Sequence, residues 1–453
     1  MRGGGEDSVG WERSVVDRKR SFYLLCLGCP KNEVDSDYLA SALMSRGWHM
    51  RERPEDAGVI VVNTCSFMVP AVEESIESIL ELGDTGMKGD RRLVVTGCLV
   101  SRYGKQALSS LLPEVDIFVD FEDYPRFGAL MEGVPDGSDT RGVLPRGHAS
   151  TLSRGYVYVK ICEGCARRCS FCTIPLLRGP LRSRPWEEIR EEARFFLARG
   201  AREIVLIAQD TTSYGMDIYG RPSLPMLVDE LCEEDGDWTL RIMYMHPEGI
   251  DADVVDAMRH PRVANYLDLP FQHVDAGILE AMGRKGDARS HRELLASLAE
   301  SLHDLALRAT FIVGFPGEDR TAFASLYDFV AEMRFDWLGL FSYSQEEGTP
   351  AFSLGKGAEA SVAKSRIEEL SALQDEIMRE NALDMVGKRV RVLVEGRSLE
   401  ADGFWEARSW REAPEIDGVI FIPHEGGISA ASVREARIVA TEGIDLVGDL
   451  QSQ

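Results

Sequence analysis

The amino-acid sequence predicts an α/β chain in three parts: a parallel-sheet, Rossmann-like amino-terminal domain, a partial TIM-type (β/α)6 barrel, and a small all-β, OB-like carboxy-terminal barrel. Three observations predict it. Short apolar runs alternate with helical stretches from residue 21 to 131, the alternation resumes on a larger scale from residue 156, and from Gly387 the pattern turns to short alternating strands. Continuous apolar strands between helices imply a parallel sheet covered on both faces. A chain of 453 residues has room for two or three domains of about 150 residues each.

The first part reads as strand SFYLLCLG (21–28), a helix over 33–47 ended by its glycine, strand GVIVVN (58–63), and a helix opened by Pro70 with Val72, Ile76, Ile79 and Leu80 on one face. Strands RLVVTG (92–97) and VDIFVD (115–120) complete it. Residues 132–150 hold four glycines and two prolines without apolar periodicity, which reads as a linker. The second part (151–384) carries six strand signals, YVYVKI (156–161), EIVLIA (203–208), TLRIMYM (239–245), NYLDLP (265–270), ATFIVG (309–314) and WLGLFSY (337–343), with helices such as 186–198 and 291–307 between them. In such a barrel the chemistry sits at the carboxyl ends of the strands. After an amphipathic helix at about 360–385, residues 385–453 read as a five-stranded barrel.

Composition narrows the partners. The formal charge is −24, and residues 388–453 hold 8 Lys+Arg against 12 Asp+Glu. A barrel built to grip RNA phosphates is expected to be basic; this one is acidic, so the charge fits either plain solubility or a basic macromolecular partner. No run reaches the roughly 18 apolar residues of a membrane span. Residues 1–20 lack a signal peptide's apolar stretch and read as a polar, disordered extension of a cytoplasmic protein.

Nine cysteines, an odd number, argue against a disulfide scaffold. Four fall within 162–172, in Cys162-Glu-Gly-Cys165-Ala-Arg-Arg-Cys169-Ser-Phe-Cys172. Soft thiolates select zinc, copper(I) or iron–sulfur clusters. A structural zinc site usually takes two separated Cys-x-x-Cys pairs, whereas the tight Cys165, Cys169, Cys172 core suits a cubane with one iron left open. Cys162 could close it as a fourth ligand, but that would block access to the open iron. Alternation along 156–162 places Cys162 on the face of Tyr158 and Lys160. Three more cysteines each follow a strand: Cys29, Cys65 and Cys98. Ligand sites collect beyond the carboxyl ends of parallel strands, so these three converge on one crevice and form a second cluster site; three buried core cysteines are the plainer alternative. At the barrel's own carboxyl edge fall Gln209-Asp210-Thr211-Thr212, Gln272-His273 and Gly314-Phe315-Pro316-Gly317-Glu318. The last reads as backbone approach to a cofactor or as a simple turn and helix start, Gln272-His273 as cofactor-side contacts or satisfied polar residues. The other histidines, His246 among them, lack ligand spacing and read as structural.

The cysteine loop, with Phe171 before its last cysteine, resembles the radical S-adenosylmethionine superfamily. The chain from about 21 to 450 resembles the methylthiotransferase family, whose members join an amino-terminal cluster domain, a radical S-adenosylmethionine core and a TRAM barrel. Leu27-Gly-Cys-Pro-Lys-Asn-Glu-Val-Asp-Ser36 is similar to the ribosomal-protein-modifying (RimO) branch; the tRNA-modifying, MiaB-like branch usually has glutamine and methionine at Pro30 and Lys31. Glu163 to Cys172 with Ile174-Pro175 and Arg178-Gly179, Ala208 to Thr211, Leu267 to His273 and Ala413 to Gly418 agree with that branch. Cys162, where the branch usually has serine, departs from it.

The resemblance implies two [4Fe-4S] clusters, one on Cys165, Cys169 and Cys172 and an auxiliary one on Cys29, Cys65 and Cys98, with S-adenosyl-L-methionine near Phe171, Gln209, Gln272, Gly314 and Gly317. It implies methylthiolation of an aspartate β-carbon in small-subunit ribosomal protein S-twelve, an unactivated position that calls for radical chemistry from a cofactor. An electron donor and a sulfur source are implied as partners, and free tRNA is disfavoured by the charge. A tRNA methylthiotransferase and a two-cluster electron-transfer protein stand as alternatives. Cys26, Cys162, Cys232 and the amino-terminal extension receive no role from the sequence.

Overall fold

The computed structural model describes residues 20–84, 88–134, 146–424 and 427–450. The expected polar extension, except Arg20, and residues 135–145 of the expected linker lie outside the described residues.

The first unit is a five-stranded parallel sheet of β1 (Ser21–Cys26), β2 (His49–Met50), β3 (Val59–Thr64), β4 (Arg92–Gly97) and β5 (Ile117–Val119), in the order β2-β1-β3-β4-β5. All six residues of β3 are buried, because alternate side chains feed two cores: Val59 and Val61 pack with Phe22 and Leu43 on one face, Ile60 and Val62 with Ile79 and Leu99 on the other. Only β2, two residues long, was invisible to periodicity. The helix Val69–Gly83 buries Ile79 and Leu82, while Leu80 is 50% exposed; the buried face is rotated from the expected one and runs through Ser75, Ile79 and Leu82, which recur at four- and three-residue spacing.

Six parallel strands build the second unit: β6 (Tyr156–Lys160), then, beyond the short antiparallel pair β7 (Cys162–Glu163) and β8 (Arg182–Ser183), β9 (Glu203–Ile207), β10 (Thr239–Ile242), β11 (Tyr266–Gln272), β12 (Ala306–Val313) and β13 (Trp337–Ser342). They form two three-stranded sheets, β10-β9-β6 and β11-β12-β13. The sheets meet through the bridge between Leu240 and Val263 and the bond from Met245 N–H to Asp268 O at 3.0 Å. Outward-facing Val157, Val159, Ile204 and Leu206 pack against helices, including Ile189, Ala193 and Phe196 of Trp186–Leu197. Inward-facing Tyr156, Tyr158, Val205, Ile207, Met243, Tyr266 and Trp337 fill the lumen.

The helix Ala360–Leu383 leads into a closed barrel of β14 (Arg389–Arg397), β15 (Phe404–Arg408), β16 (Ile420–Pro423), β17 (Ser432–Glu442) and β18 (Asp445–Leu450), in the order β14-β15-β16-β18-β17. Residues 409–418 leave this barrel and enter the amino-terminal mouth of the larger one. There Arg241 donates to the carbonyls of Trp410 and Ser409 at 2.9 and 3.0 Å, Trp337 Nε1 to Arg411 O at 2.7 Å, and Tyr266 Oη to Asp417 Oδ2 at 2.7 Å. Ala413 and Leu393 join the lumen core together with Val34 of the first unit. Arg146, within the segment read as a linker, is buried and held by Asp37 at 3.3 Å, Glu192 at 2.9 Å and Tyr158 O at 2.6 Å. This end of the segment is clamped between two units.

Candidate active site

Cys165, Cys169 and Cys172 lie in the loop beyond β7, at the carboxyl edge of the barrel. Gly164 turns the chain with φ +71°, and a Cβ there would meet the Pro180 and Gly179 carbonyls at 2.2 and 2.5 Å. Cys165 N–H donates to Gly179 O at 3.3 Å, Ser170 N–H to Met282 O at 2.8 Å, and Arg167 N–H to Cys165 Sγ at 3.4 Å. Arg167 Nε reaches Asp210 Oδ2 at 2.8 Å. The loop is thus pinned to the segment after β9 and to the end of the helix Ala276–Ala281.

The other set is assembled from three loops. Cys29 stands just before the helix Pro30–Met44, Cys65 directly after β3, and Cys98 directly after β4. Gly28 (φ +99°) and Gly97 (φ +95°) precede two of them. A Cβ on Gly28 would lie 3.0 Å from Cys65 Sγ, and one on Gly97 would lie 2.4 Å from Asn63 Oδ1. Asn32 ties the loops together: its Nδ2 donates to Leu27 O at 2.7 Å and Thr64 O at 3.0 Å, and its Oδ1 is 3.8 Å from Cys98 Sγ.

The segments that carry the two sets touch one another. Thr173 Oγ1 donates to Phe67 O at 3.3 Å, Ser101 Oγ to Leu177 O at 2.7 Å, and Arg102 pairs with Glu346 at 2.6 Å. Beside these contacts lies a cavity of about 140 Å³ lined by Phe67 and Met68, close in sequence to Cys65, and by Phe171, Gln272, Thr310 and Tyr343, among others. A larger cavity, about 250 Å³, opens beside Arg202 and Arg262 at the barrel's amino-terminal rim, the end that serves stability rather than chemistry in such barrels.

Among the described residues, no three His, Cys, Asp or Glu side chains come close enough to hold a single metal ion. Each set instead offers three thiols and no imidazole or carboxylate, a donor set suited to an iron–sulfur cluster. Burial pushes the Cys172 thiol up to about 12 and that of Cys98 up to about 11, the latter against the pull of Arg178, so loading a cluster must displace thiol protons.

Of the residues expected near a cofactor, Phe171 and Gln272 line the cavity. Gln272 is held at φ +72°, where the pairing of β11 with β12 shifts register; such strain in a non-glycine residue gathers at functional sites. Gln209 donates to Glu163 Oε1 at 2.8 Å, leaving its own buried Oε1 without a partner. Gly314 is turned inward: its N–H donates to Glu318 Oε2 at 2.7 Å, its carbonyl accepts from Ala358 at 2.9 Å, and a Cβ would meet Ala363 at 3.1 Å. Its polar groups are spent within the protein, the geometry of a turn packed on a helix. Gly317 (φ +94°) has Ile278 as its near neighbour. His273 is fully buried, accepting from Asp275 N–H at 3.0 Å.

Cys162 does not share the face of Lys160. Strand β6 ends at Lys160, and the break turns Ile161 and Cys162 together into the apolar core, where burial raises the thiol. Cys232 lies in the same core. Cys26 is half-buried, with burial pushing it up to about 12.

Sequence reasoning missed four residues. Asn32 and Arg178 carried no periodic signal, although both stand within the quoted motifs. Lys31 is buried with its ammonium 3.0 Å from the centre of the Tyr244 ring. His246 is buried beyond β10, its Nδ1 accepting from Glu248 N–H at 3.3 Å and its Nε2 without a partner. Burial, then Arg284 and Arg167, hold His246 down at about 3, so it is neutral, with the proton on Nε2.

Three family profiles match this chain: "Uncharacterized protein family UPF0004" over residues 21–120, "Radical SAM superfamily" over 159–330 and "TRAM domain" over 386–450. A radical S-adenosylmethionine methyltransferase, TsrM from Kitasatospora setae, solved with cobalamin and a [4Fe-4S] cluster, shares the fold at TM-score 0.54 and 15% identity, covering 91% of this chain and 84% of that one. Fold and cysteine loop therefore define a radical S-adenosylmethionine protein with a TRAM barrel. The ribosomal protein uS12 methylthiotransferase RimO of Geobacter sulfurreducens is 41% identical over 97% of this chain and all of its own length. That of Thermotoga maritima is 41% identical over 89% of this chain and 94% of its own. The chain belongs to the RimO family of methylthiotransferases.

Proposed function

We propose that this protein attaches a methylthio group to the β-carbon of an aspartate in ribosomal protein uS12. The observation that carries the reading is the pair of three-thiol sets on touching segments beside one cavity, in a chain of the RimO family. In this reading Cys165, Cys169 and Cys172 hold a [4Fe-4S] cluster with an open iron for S-adenosyl-L-methionine, and Cys29, Cys65 and Cys98 hold a second cluster. Bound together, these groups supply an adenosyl radical and a transferable sulfur.

The chain's own residues position and enclose. Phe171 and Gln272 shape the cavity, Gln209 orients Glu163 beside Cys165, and Phe67 and Met68 close it from the Cys65 side. The net charge of −24 suits a basic ribosomal protein and disfavours free tRNA. No helix of the described residues is long and apolar enough to cross a membrane; the proposed setting is the cytoplasm, with an electron donor and a sulfur source as further partners.

The test is anaerobic reconstitution with iron and sulfide. Cofactor, reductant and sulfide are then added with either a uS12 peptide spanning the target aspartate or an adenosine-modified tRNA anticodon stem, and mass spectrometry follows methylthio gain. Modification of the peptide alone is expected; modification of the stem alone would overturn the reading.

A further inference from the structure

Arg178 follows the short helix Ile174–Leu177, beyond the cysteine loop of the barrel, yet its side chain ends among the cysteines of the first unit. Only 2% of that side chain is exposed. Nη1 donates to Asp35 Oδ2 at 2.6 Å and Glu163 Oε2 at 3.2 Å. Nη2 donates to Asn32 Oδ1 and, at 3.5 Å, to Cys98 Sγ. The guanidinium lies 4.1 Å from the centre of the Phe121 ring. Lys160 completes the network, donating to Asp35 and, at 2.6 Å, to Glu163 Oε2. Two cations thus face two carboxylates, and the forked end of one cation touches a thiol. A planar fork with five donors can serve Asp35, Glu163, Asn32 and Cys98 at once; an ammonium cannot.

We propose that Arg178 is a positioning residue for the auxiliary cluster: it donates a charge-assisted hydrogen bond to the Cys98 sulfur in the loaded protein, fixes that sulfur against the Cys165 loop through Glu163, and raises the cluster's reduction potential. The inference rests on Cys29, Cys65 and Cys98 holding a cluster. Hydrogen bonds to ligating sulfurs and local charge are among the determinants of cluster potential. A cation donating to a thiolate favours the reduced, more negative state, and does so more strongly where water is excluded. Removing Arg178 also leaves Asp35 and Glu163 with Lys160 alone, which disfavours reduction further. Both effects push the potential down.

The test is a redox titration of the full-length, anaerobically reconstituted protein, followed by electron paramagnetic resonance in the absence of substrate. A Cys98→Ala variant assigns the auxiliary wave as the one it abolishes. Wild type is expected to bind two clusters' worth of iron and sulfide. In Arg178→Gln the auxiliary wave is expected to fall by at least a tenfold change in the oxidised-to-reduced ratio, 59 mV for one electron, while the wave of the Cys165 loop stays within half that. Arg178→Lys keeps the charge without the fork, and its auxiliary wave is expected between the two. An unmoved wave in loaded Arg178→Gln, or equal movement of both waves, overturns the inference. If Arg178→Gln fails to load, Arg178→Lys decides alone, and a wave at the wild-type potential overturns it. Wild-type protein holding a single cluster's worth of iron would instead sink the underlying two-cluster reading.

Discussion

Cys165, Cys169 and Cys172 come from one loop, whereas Cys29, Cys65 and Cys98 come from the ends of three separate elements. The first set needs little beyond its own turns: Gly164 bends the chain, and a few backbone bonds pin the loop to the barrel rim. The second exists only when β1, β3 and β4 are in register, because their parallel pairing brings the three loops to one edge. Asn32 then ties them, and Arg178 reaches in from the other unit. One thiol set is written in local sequence, the other in tertiary structure, and they should fail differently.

The largest expected effect separates them by cofactor chemistry. Cys169→Ala and Cys98→Ala should each abolish methylthiolation and lose about half of the bound iron, but reductive formation of 5′-deoxyadenosine should vanish only in Cys169→Ala. Chromatography of the nucleoside products measures this, and loss in both variants would break the comparison. Next comes backbone strain. A Cβ on Gly97 would strike Asn63 and Thr64 at a backbone angle reserved for glycine, costing on the order of 3 kcal/mol. Gly97→Ala should therefore lower the melting temperature of the apo-protein and deplete iron. Gly164→Ala clashes only with the loop at Gly179 and Pro180, so iron should be lost there with little change in melting.

Smaller still is Asn32→Ala. It leaves the carbonyls of Leu27 and Thr64 without their side-chain donor, at about 1–3 kcal/mol. Hydrogen exchange should rise at the loops around Cys29 and Cys65 while the barrel stays protected.

The last effect, on stability rather than on iron, is remote from both thiol sets. Burial raises Asp417 to about 6, against the pull of Arg308, with Tyr266 donating to it and Asp268 nearby. Its folded value lies above the unfolded one, so the folded state holds the proton longer and stability falls as pH rises from about 4 to about 6, by roughly 3 kcal/mol from this group. Asp417→Asn should flatten part of that slope in thermal melts without altering iron content.

The sequence makes the strands legible because buried parallel strands are continuous apolar runs: β3, β4, β9 and β12 are all read from such runs. The two thiol sets are legible for a related reason, since each cysteine follows a strand end or crowds one loop. Their polar neighbours are not. Arg178 and Asn32 are distant in sequence, and their meeting depends on how two units dock, which no local pattern encodes. The alternation assigns Cys162 to the wrong face because it runs two residues past the end of β6. Gly314 shows the converse limit: a glycine-rich turn at a barrel rim looks the same in sequence whether its backbone meets a ligand or, as here, an alanine of the helix Ala360–Leu383.

The entry of residues 409–418 into the mouth of the larger barrel bears on how such chains can be recombined. Ala413 and Leu393 of the carboxy-terminal unit and Val34 of the first share one apolar cluster with Tyr158 and Trp337 of the second. A chimera exchanging residues 386–450 with those of a relative would therefore inherit a plug cut for a foreign lock. The exchange should be tolerated only when Tyr158, Arg241, Tyr266 and Trp337 travel with it, so the carboxy-terminal barrel is a fitted stopper rather than a transplantable cassette.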